Sequence, residues 1–305
     1  MDQLAHNDVN AAHRPTSASV VVGVDGGPAG NLAVRWAAEV AARRNRELLL
    51  VRGLNLDAIY GPPETRPRWL REAIYDMAEQ TMAEATAHAR TVDPALRIRS
   101  VIEPGDPVEL LIEHSSSAYL VVLGGPEDRL GLGRLGSVLL SVVSHAKGPV
   151  AVVRGGRSGL AAEGPVVVGV DGSPVSEAAT AVAFDVAASR DAALVAVHCW
   201  SDPYAGKFAR LFQFAEEATD FGTQAKALLS ERLAGWQEQY PRVAVEPQLS
   251  DNAPQDELLS WSESAQLIVV GSRGRGGFAR LLLGSTSSSL LDRAQCPIIV
   301  VHPQQ

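Results

Sequence analysis

Short runs of valine, leucine and isoleucine alternate along this chain with longer segments of helical period, the pattern of a parallel sheet covered by helices. In the first half the apolar runs predict strands at Val20–Val24, Glu47–Val51, Arg97–Ile102, Leu120–Leu123 and Val150–Val153. Between them, Asn31–Arg44 places Leu32, Val34, Trp36, Ala37 and Val40 on one helix face and ends in exposed arginines. Helices are also predicted over Arg71–Arg90, Val108–Ser116 and Ser137–Ala146. The third of these four follows Gly105-Asp106-Pro107, where Asp suits the cap and Pro the first turn.

The second half restates this order. Strands are predicted at Val166–Val170, Leu194–His198, Val243–Leu249, Leu267–Val270 and Ile298–Val301, and helices over Ser176–Ser189, Phe221–Tyr240, Asp256–Glu263 and Ser285–Ala294. Ser19 to Pro28 reads SVVVGVDGGP and Pro165 to Pro174 reads PVVVGVDGSP, with Asp25 and Asp171 146 positions apart. A repeat of that length is a whole domain, so the chain is expected to fold as two similar α/β lobes, residues 19–154 and 165–305. A flexible tail at 1–18 and a Gly/Arg/Ser linker at 155–164 complete the organisation.

At 305 residues and 46% hydrophobic content, each half can bury an ordinary core. A formal charge of −8 argues against sequence-independent nucleic-acid binding, which needs a surplus of Lys and Arg. The amino end lacks the apolar core of a signal peptide, and no apolar stretch approaches the ~20 residues of a membrane span; a cytoplasmic protein is expected. The two cysteines, Cys199 and Cys296, read as free thiols in apolar runs. His145 and His198 read as packing or surface residues, and no side-chain cluster has metal-ligand spacing.

The chemistry concentrates after the run Leu267–Val270. There the chain reads Gly271-Ser272-Arg273-Gly274-Arg275-Gly276-Gly277, then Phe278 to Leu283, then Gly284-Ser285-Thr286-Ser287. Glycines at the end of a buried strand let backbone N–H groups converge on an anion. The second cluster opens a helix, whose unpaired N–H groups and dipole favour a phosphate beside three hydroxyls. Arg273, Arg275 and Arg280 add local positive charge. A surface loop followed by a serine cap would show similar residues, but the strand before and the helix after favour an anion cradle. It lacks the GK[ST] of a Walker loop, and no GxGxxG follows a first strand.

These residues resemble the universal stress protein family in its tandem-domain, actinobacterial form. The resemblance runs from Ser19 to Arg154 and from Pro165 to His302, carried by VVVGVDGS at Val166–Ser173, GDP at Gly105–Pro107, G-2x-G-9x-G-S at Gly271–Ser285 and CPIIVV at Cys296–Val301. It implies two Rossmann-like (HUP-type) domains, each with a five-stranded parallel open sheet flanked by helices. It also implies ATP, with magnesium riding on its phosphates as a further option and Asp171 the nearest carboxylate. By position, Asp171 with Gly172 and Ser173 would lie beside adenine and ribose, and the backbone of Cys199 would read the adenine edge. Val270, Gly271, Arg273 and Gly274 would line ribose and phosphates, while Gly284, Ser285, Thr286 and Ser287 would hold the phosphates. The resemblance further implies pairing of the lobes through their last strands about a pseudo-twofold axis. A homodimer and a regulatory protein partner are expected, with no nucleic acid or membrane.

The first lobe departs from this pattern. Its counterparts are Asp25, Gly53, Gly124, Gly136 and Ser137, but the loop from Gly124 to Gly136 is one residue short, and Glu127 stands where the motif calls for the second glycine. Pro126 removes a donor, Glu127 and Asp128 place negative charge near the phosphates, and Val138 and Leu139 replace Thr286 and Ser287. Losing two charge-assisted hydrogen bonds at ~1.5 kcal/mol each lowers affinity about 100-fold, so weak or absent ATP binding is expected in the first lobe, with occupancy of both lobes the alternative because Asp25, Gly124 and Gly136 survive. The reading is a nucleotide-gated stress-response module with slow hydrolysis at most. Its rivals are a weak ATPase that self-phosphorylates at Ser285, Thr286 or Ser287, and a nucleotide-independent dimerisation scaffold. The excursions Asn55–Arg68 and Ser201–Asp220, the latter holding Phe208, Phe212 and Phe214, are expected to cover the two crevices.

Overall fold

The apolar runs assemble into one ten-stranded sheet, with Ile98–Pro104 and Val245–Ser250 at its two edges and Val150–Val153 and Ile298–Val301 adjacent at its middle. The structure is a computed structural model and describes residues 17–57, 61, 67–125, 136–155, 163–199, 218–274 and 282–303, the side chains of 218–226 and 228 excepted. Residues 1–16, the linker residues 156–162, Pro126, Glu127, Asp128, Arg275, Arg280, Phe208, Phe212, Phe214 and most of both excursions lie outside the described residues.

In the first lobe the order is β1 (Val20–Gly23), α1 (Pro28–Arg43), β2 (Leu48–Leu54), α2 (Arg68–Arg90), β3 (Ile98–Pro104), α3 (Pro107–Ser115), β4 (Leu120–Gly124), α4 (Ser137–His145) and β5 (Val150–Val153). In the second it is β6 (Val166–Gly169), α5 (Pro174–Arg190), β7 (Leu194–Cys199), α6 (Ala218–Gln239), β8 (Val245–Ser250), α7 (Pro254–Trp261), β9 (Leu267–Gly271), α8 (Ser285–Arg293) and β10 (Ile298–Val301). The predicted strands and helices are all present, with ends moved by a few residues. Val243 is the clearest case: its N–H donates to the carbonyl of Tyr240 at 3.0 Å in a turn, so β8 starts at Val245.

Within each lobe neighbouring strands are parallel. At the seam, β5 and β10 run antiparallel, with Ile298 opposite Val152 and Val300 opposite Val150. The two five-stranded sheets are therefore halves of one sheet, joined about a pseudo-twofold axis. Since β5 and β10 satisfy each other, the edges that remain are β3 and β8, and Pro247 in β8 withholds a ladder N–H from any further strand.

Strand side chains alternate between two cores that run through both lobes. Val20, Val22, Val166 and Val168 face α1, α2, α5 and α6 with Phe184 at the centre, and Val21, Val167, Ile268 and Ile298 face α3, α4, α7 and α8. Phe184 is fully buried and stacks on Trp236 at 6.1 Å between ring centres. On the first face an ion pair locks the lobes. Asp185 of α5 accepts from Arg44 Nη1 at 2.7 Å and from the Tyr119 hydroxyl at 2.6 Å, while Arg46 lies over the Tyr119 ring at 4.2 Å. Burial and the neighbouring Asp185 carboxylate push the Tyr119 phenol well above its usual range.

Candidate functional site

In the second lobe the chain leaves β6 toward β7 and β8, then returns to the other side of β6 for β9 and β10. The crevice at the carboxyl ends of β6 and β9 is the switch point where open α/β sheets bind ligands. Asp171 sits there. Its Oδ1 accepts from the N–H of Ser173 at 2.8 Å, across a turn that holds Gly172 at φ 78°, where glycine carries no steric penalty. The N–H of Asp171 donates to Ser176 Oγ at 3.0 Å, and the N–H of Ser176 donates to Ser173 Oγ at 3.2 Å, capping α5. The second carboxylate oxygen reaches the glycine loop, since a Cβ on Gly274 would lie 2.6 Å from Asp171 Oδ2.

The loop's two ends are tied together. Ser272, 1% exposed, donates its N–H to Val301 at 2.7 Å, and its carbonyl accepts from the N–H of Gly284 at 2.8 Å and from Ser287 Oγ at 3.1 Å. Val270 is buried, and Gly271 ends β9 against Val175, whose Cγ1 lies 2.9 Å from where a Cβ would stand. Gly284 precedes α8 and provides no side-chain cap to the first N–H groups of that helix. Ser285 is exposed and Thr286 half-buried. Ser287 is placed otherwise than the family resemblance implies: its hydroxyl is buried and donates to the carbonyls of Ser272 and Gly284. It braces the cradle rather than facing it.

At the far side of the crevice, Cys199 ends β7 opposite Ser250 of β8. Burial, with the charge of Glu257, pushes its thiol up to about 12, so it stays neutral. Burial pushes the Cys296 thiol up to about 12 as well. His198 Nδ1 lies 2.6 Å from the Val170 carbonyl, which requires the proton on that nitrogen. Glu257 accepts from Ser250 Oγ at 2.7 Å, Asn252 Nδ2 at 2.7 Å and Trp261 Nε1 at 3.1 Å. Burial acts to raise its carboxyl, but the three donors together hold it below the usual range. Among the described residues no group of three or more His, Cys, Asp or Glu side chains is arranged to hold a metal ion. Nor is any helix among them long and apolar enough to cross a membrane.

The first-lobe counterparts occupy the same places with different contacts. Asp25 Oδ1 accepts from the N–H of Gly27 at 2.8 Å, but Gly30 stands where Ser176 does, and the Asp25 carboxylate fills the space its Cβ would take. Gly53 and Gly124 are packing glycines: a Cβ would fall 2.7 Å from Pro107 Cα and 2.6 Å from the Ala29 carbonyl carbon. Gly125 donates to Val153 at 2.7 Å as Ser272 does to Val301, yet Gly136 makes no bond to Gly125 among the described residues and has nothing within 4 Å of its Cβ position. Leu139, in the position of Ser287, is buried in the core and cannot donate. Ser137 is exposed at the start of α4.

A ten-stranded, pseudo-twofold pair of doubly wound lobes with a glycine-lined crevice defines a tandem Rossmann-like α/β protein. The profile of the universal stress protein family matches residues 17–154 and 164–302, and the chain belongs to that family. It is 42% identical over 289 residues to the universal stress protein Rv2005c of Mycobacterium tuberculosis, covering 93% of this chain and 96% of the relative. It is also 37% identical over 299 residues to the universal stress protein Rv2623 of the same organism, covering 94% and 97%. Among solved structures, a universal stress protein from Archaeoglobus fulgidus superposes with a TM-score of 0.68 at 20% identity, covering 94% of this chain and 98% of the other, a likeness of fold.

Ser176, Ser272 and Glu257 were not singled out by the motifs. For Ser176 the signal was in the repeat itself, where DGSPVS faces DGGPAG.

Proposed function

We propose that the second lobe binds ATP and that the chain acts as a nucleotide-gated regulatory module in the stress response. The observation that carries this reading is the pinned loop: Ser272 holds Gly284 and Ser287, so the uncapped start of α8 and the Asp171 carboxylate face one crevice from opposite sides. The residues fit a polyphosphate. Backbone N–H groups at Ser285 and Thr286, both hydroxyls and Arg273 would hold the phosphates, and Asp171 would accept from ribose or carry a magnesium ion. Bound ATP supplies negative charge that orders the loop and so changes the surface a regulatory partner meets.

The first lobe is the weaker site on this reading, because Leu139 removes the brace and Gly136 stands apart from Gly125. A homodimer, if it forms through strands, must use β3 or β8. Turnover is expected to be slow at most, because the Cys199 thiol stays neutral and no sequence motif aims a general base at a γ-phosphate.

The test is mass spectrometry of nucleotide released from the denatured protein, with Gly284→Ala as control. About one ATP per chain, lost in the variant, supports one competent lobe. Two per chain would overturn the single-site reading, and none, with no binding on titration, the ATP reading itself.

A further inference from the structure

The residue just past each seam strand crosses into the other lobe. Arg154, after β5, donates from Nη1 to the carbonyl of Asp292 at 2.7 Å in the last turn of α8. His302, after β10, sets Nε2 2.7 Å from the carbonyl of Val143 in the last turn of α4 and Nδ1 2.9 Å from the carbonyl of Gly148. Both positions lie where the negative end of a helix dipole favours a cation. Arg154 is charged at any ordinary pH, whereas His302 can change its charge.

Carbonyl oxygens only accept. A neutral imidazole has one N–H, so one of the two contacts sets a ring lone pair against a carbonyl lone pair, and only the imidazolium satisfies both. Burial opposes that second proton and pushes His302 below the usual histidine range; the two carbonyls pull it back up and the charge of Arg273 pushes it down again. The other ionisable residues on the packed elements are His145, at the end of α4, Lys147, in the connection to β5, and Asp292 and Arg293 of α8, all four exposed. No carboxylate among the described residues acts on His302. Arg273 follows Ser272, whose N–H bonds to Val301, the residue before His302. The glycine loop and the inter-lobe clasp are therefore neighbours along one hydrogen-bonded backbone.

We propose that His302 couples proton uptake to phosphate binding in the second lobe: an anion that neutralises Arg273 lets the imidazole take a second proton, which completes the clasp onto α4. The proposal rests on the nucleotide reading above. One proton is taken from solvent and no covalent bond between heavy atoms changes. Linkage is reciprocal, so acidification through the His302 midpoint tightens ATP binding. In the ligand-free chain the sign is opposite for stability. A histidine depressed in the folded state favours the neutral form, so stability is lost as pH falls below the unfolded value of about 6.5, and ATP restores it.

The test is calorimetric titration of magnesium-ATP into the full-length chain at pH values stepped downward from about 6.5 through the depressed His302 midpoint, in buffers of different ionisation enthalpy. The wild type is expected to take up as much as one proton more per ATP than His302→Gln, which still binds, the variant cancelling protons exchanged by ATP itself. Should the variant fail to fold, the Cε1–H resonance of His302 in the wild type decides: its titration midpoint should rise with ATP, and each unit of rise equals about a tenfold gain in affinity across the transition. Equal proton counts in the two proteins, or an unmoved midpoint with ATP bound, overturn the coupling and leave the nucleotide reading standing. No binding heat in the wild type overturns both.

Discussion

The two lobes build one crevice twice from matching strands, yet they part at the side chains that hold the crevice together. Where the second lobe has Ser287 donating to Ser272, the first has Leu139 buried in the core. Where Ser176 accepts from the N–H of Asp171, Gly30 leaves the space to the Asp25 carboxylate. A duplicated fold thus tolerates loss of these braces without loss of a strand, because the sheet is held by its cores and the loop ends by a few polar contacts. The seam shows the same inequality. Arg44 pairs with Asp185, but Arg190, at the end of α5, bonds Gln266 through Nη1 at 3.1 Å, lies over Trp36 at 5.4 Å and leaves Nη2 buried without a hydrogen-bond partner among the described residues.

The largest effects are expected at that seam. Asp185→Ala strands the Arg44 guanidinium and the Tyr119 hydroxyl in a half-buried site, and removing one partner of such a pair costs about 3–5 kcal/mol. Arg190→Met keeps the packing on Trp36 and removes a desolvated charge, so its stability should stay within about 1 kcal/mol of the wild type or exceed it. Urea denaturation of both variants checks this, and equal losses would erase the distinction between the two sides.

The proposed nucleotide site comes next. Gly284 has an ordinary φ of −75°, and an added Cβ would meet Arg273 Cα at 3.5 Å, normal contact, so Gly284→Ala should fold unchanged while its methyl group crowds the phosphates. ATP affinity is expected to fall at least ~10-fold, about 1.4 kcal/mol, and Gly136→Ala in the first lobe to change nothing. Direct titration of both variants decides between one working lobe and two. Ser287→Ala removes the brace at Ser272 without touching ligand, for about 1 kcal/mol of stability and a several-fold loss of ATP affinity. If affinity is untouched, the pinned loop ends are irrelevant to binding.

The sheet was legible because its strands are unbroken apolar runs that occur twice, so each half checks the other. The glycine spacing likewise marked the second crevice and the shortened first one. Ser287 was not legible in that way: three consecutive residues at a helix start cannot all face the ligand, and which one turns inward is fixed by Leu290 and Leu291 packing on the core. The roles of Arg154 and His302 depend on β5 and β10 lying antiparallel, a tertiary fact with no local pattern. Their equal places after the last strand of each repeat were the available signal.

The smallest expected effect lies at the β7 side of the crevice, where Glu257 of α7 occupies the position of Leu110 in α3. Held below its usual range by Asn252, Ser250 and Trp261 against the opposing effect of burial, Glu257 contributes stability that is present above the unfolded carboxylate value of about 4.3. That contribution is lost as pH falls through the lower folded value, because protonation removes an acceptor from three donors. Glu257 is only partly buried, so solvent screening keeps the effect small. Glu257→Gln should therefore flatten the acid limb of the stability profile in thermal melts, leave neutral-pH stability slightly reduced, and lower the Cys199 thiol toward its ordinary range by removing the nearby negative charge. An acid limb that is the same with and without the carboxylate would place the second lobe's acid sensitivity elsewhere, and would leave Glu257 as a packing substitute for Leu110.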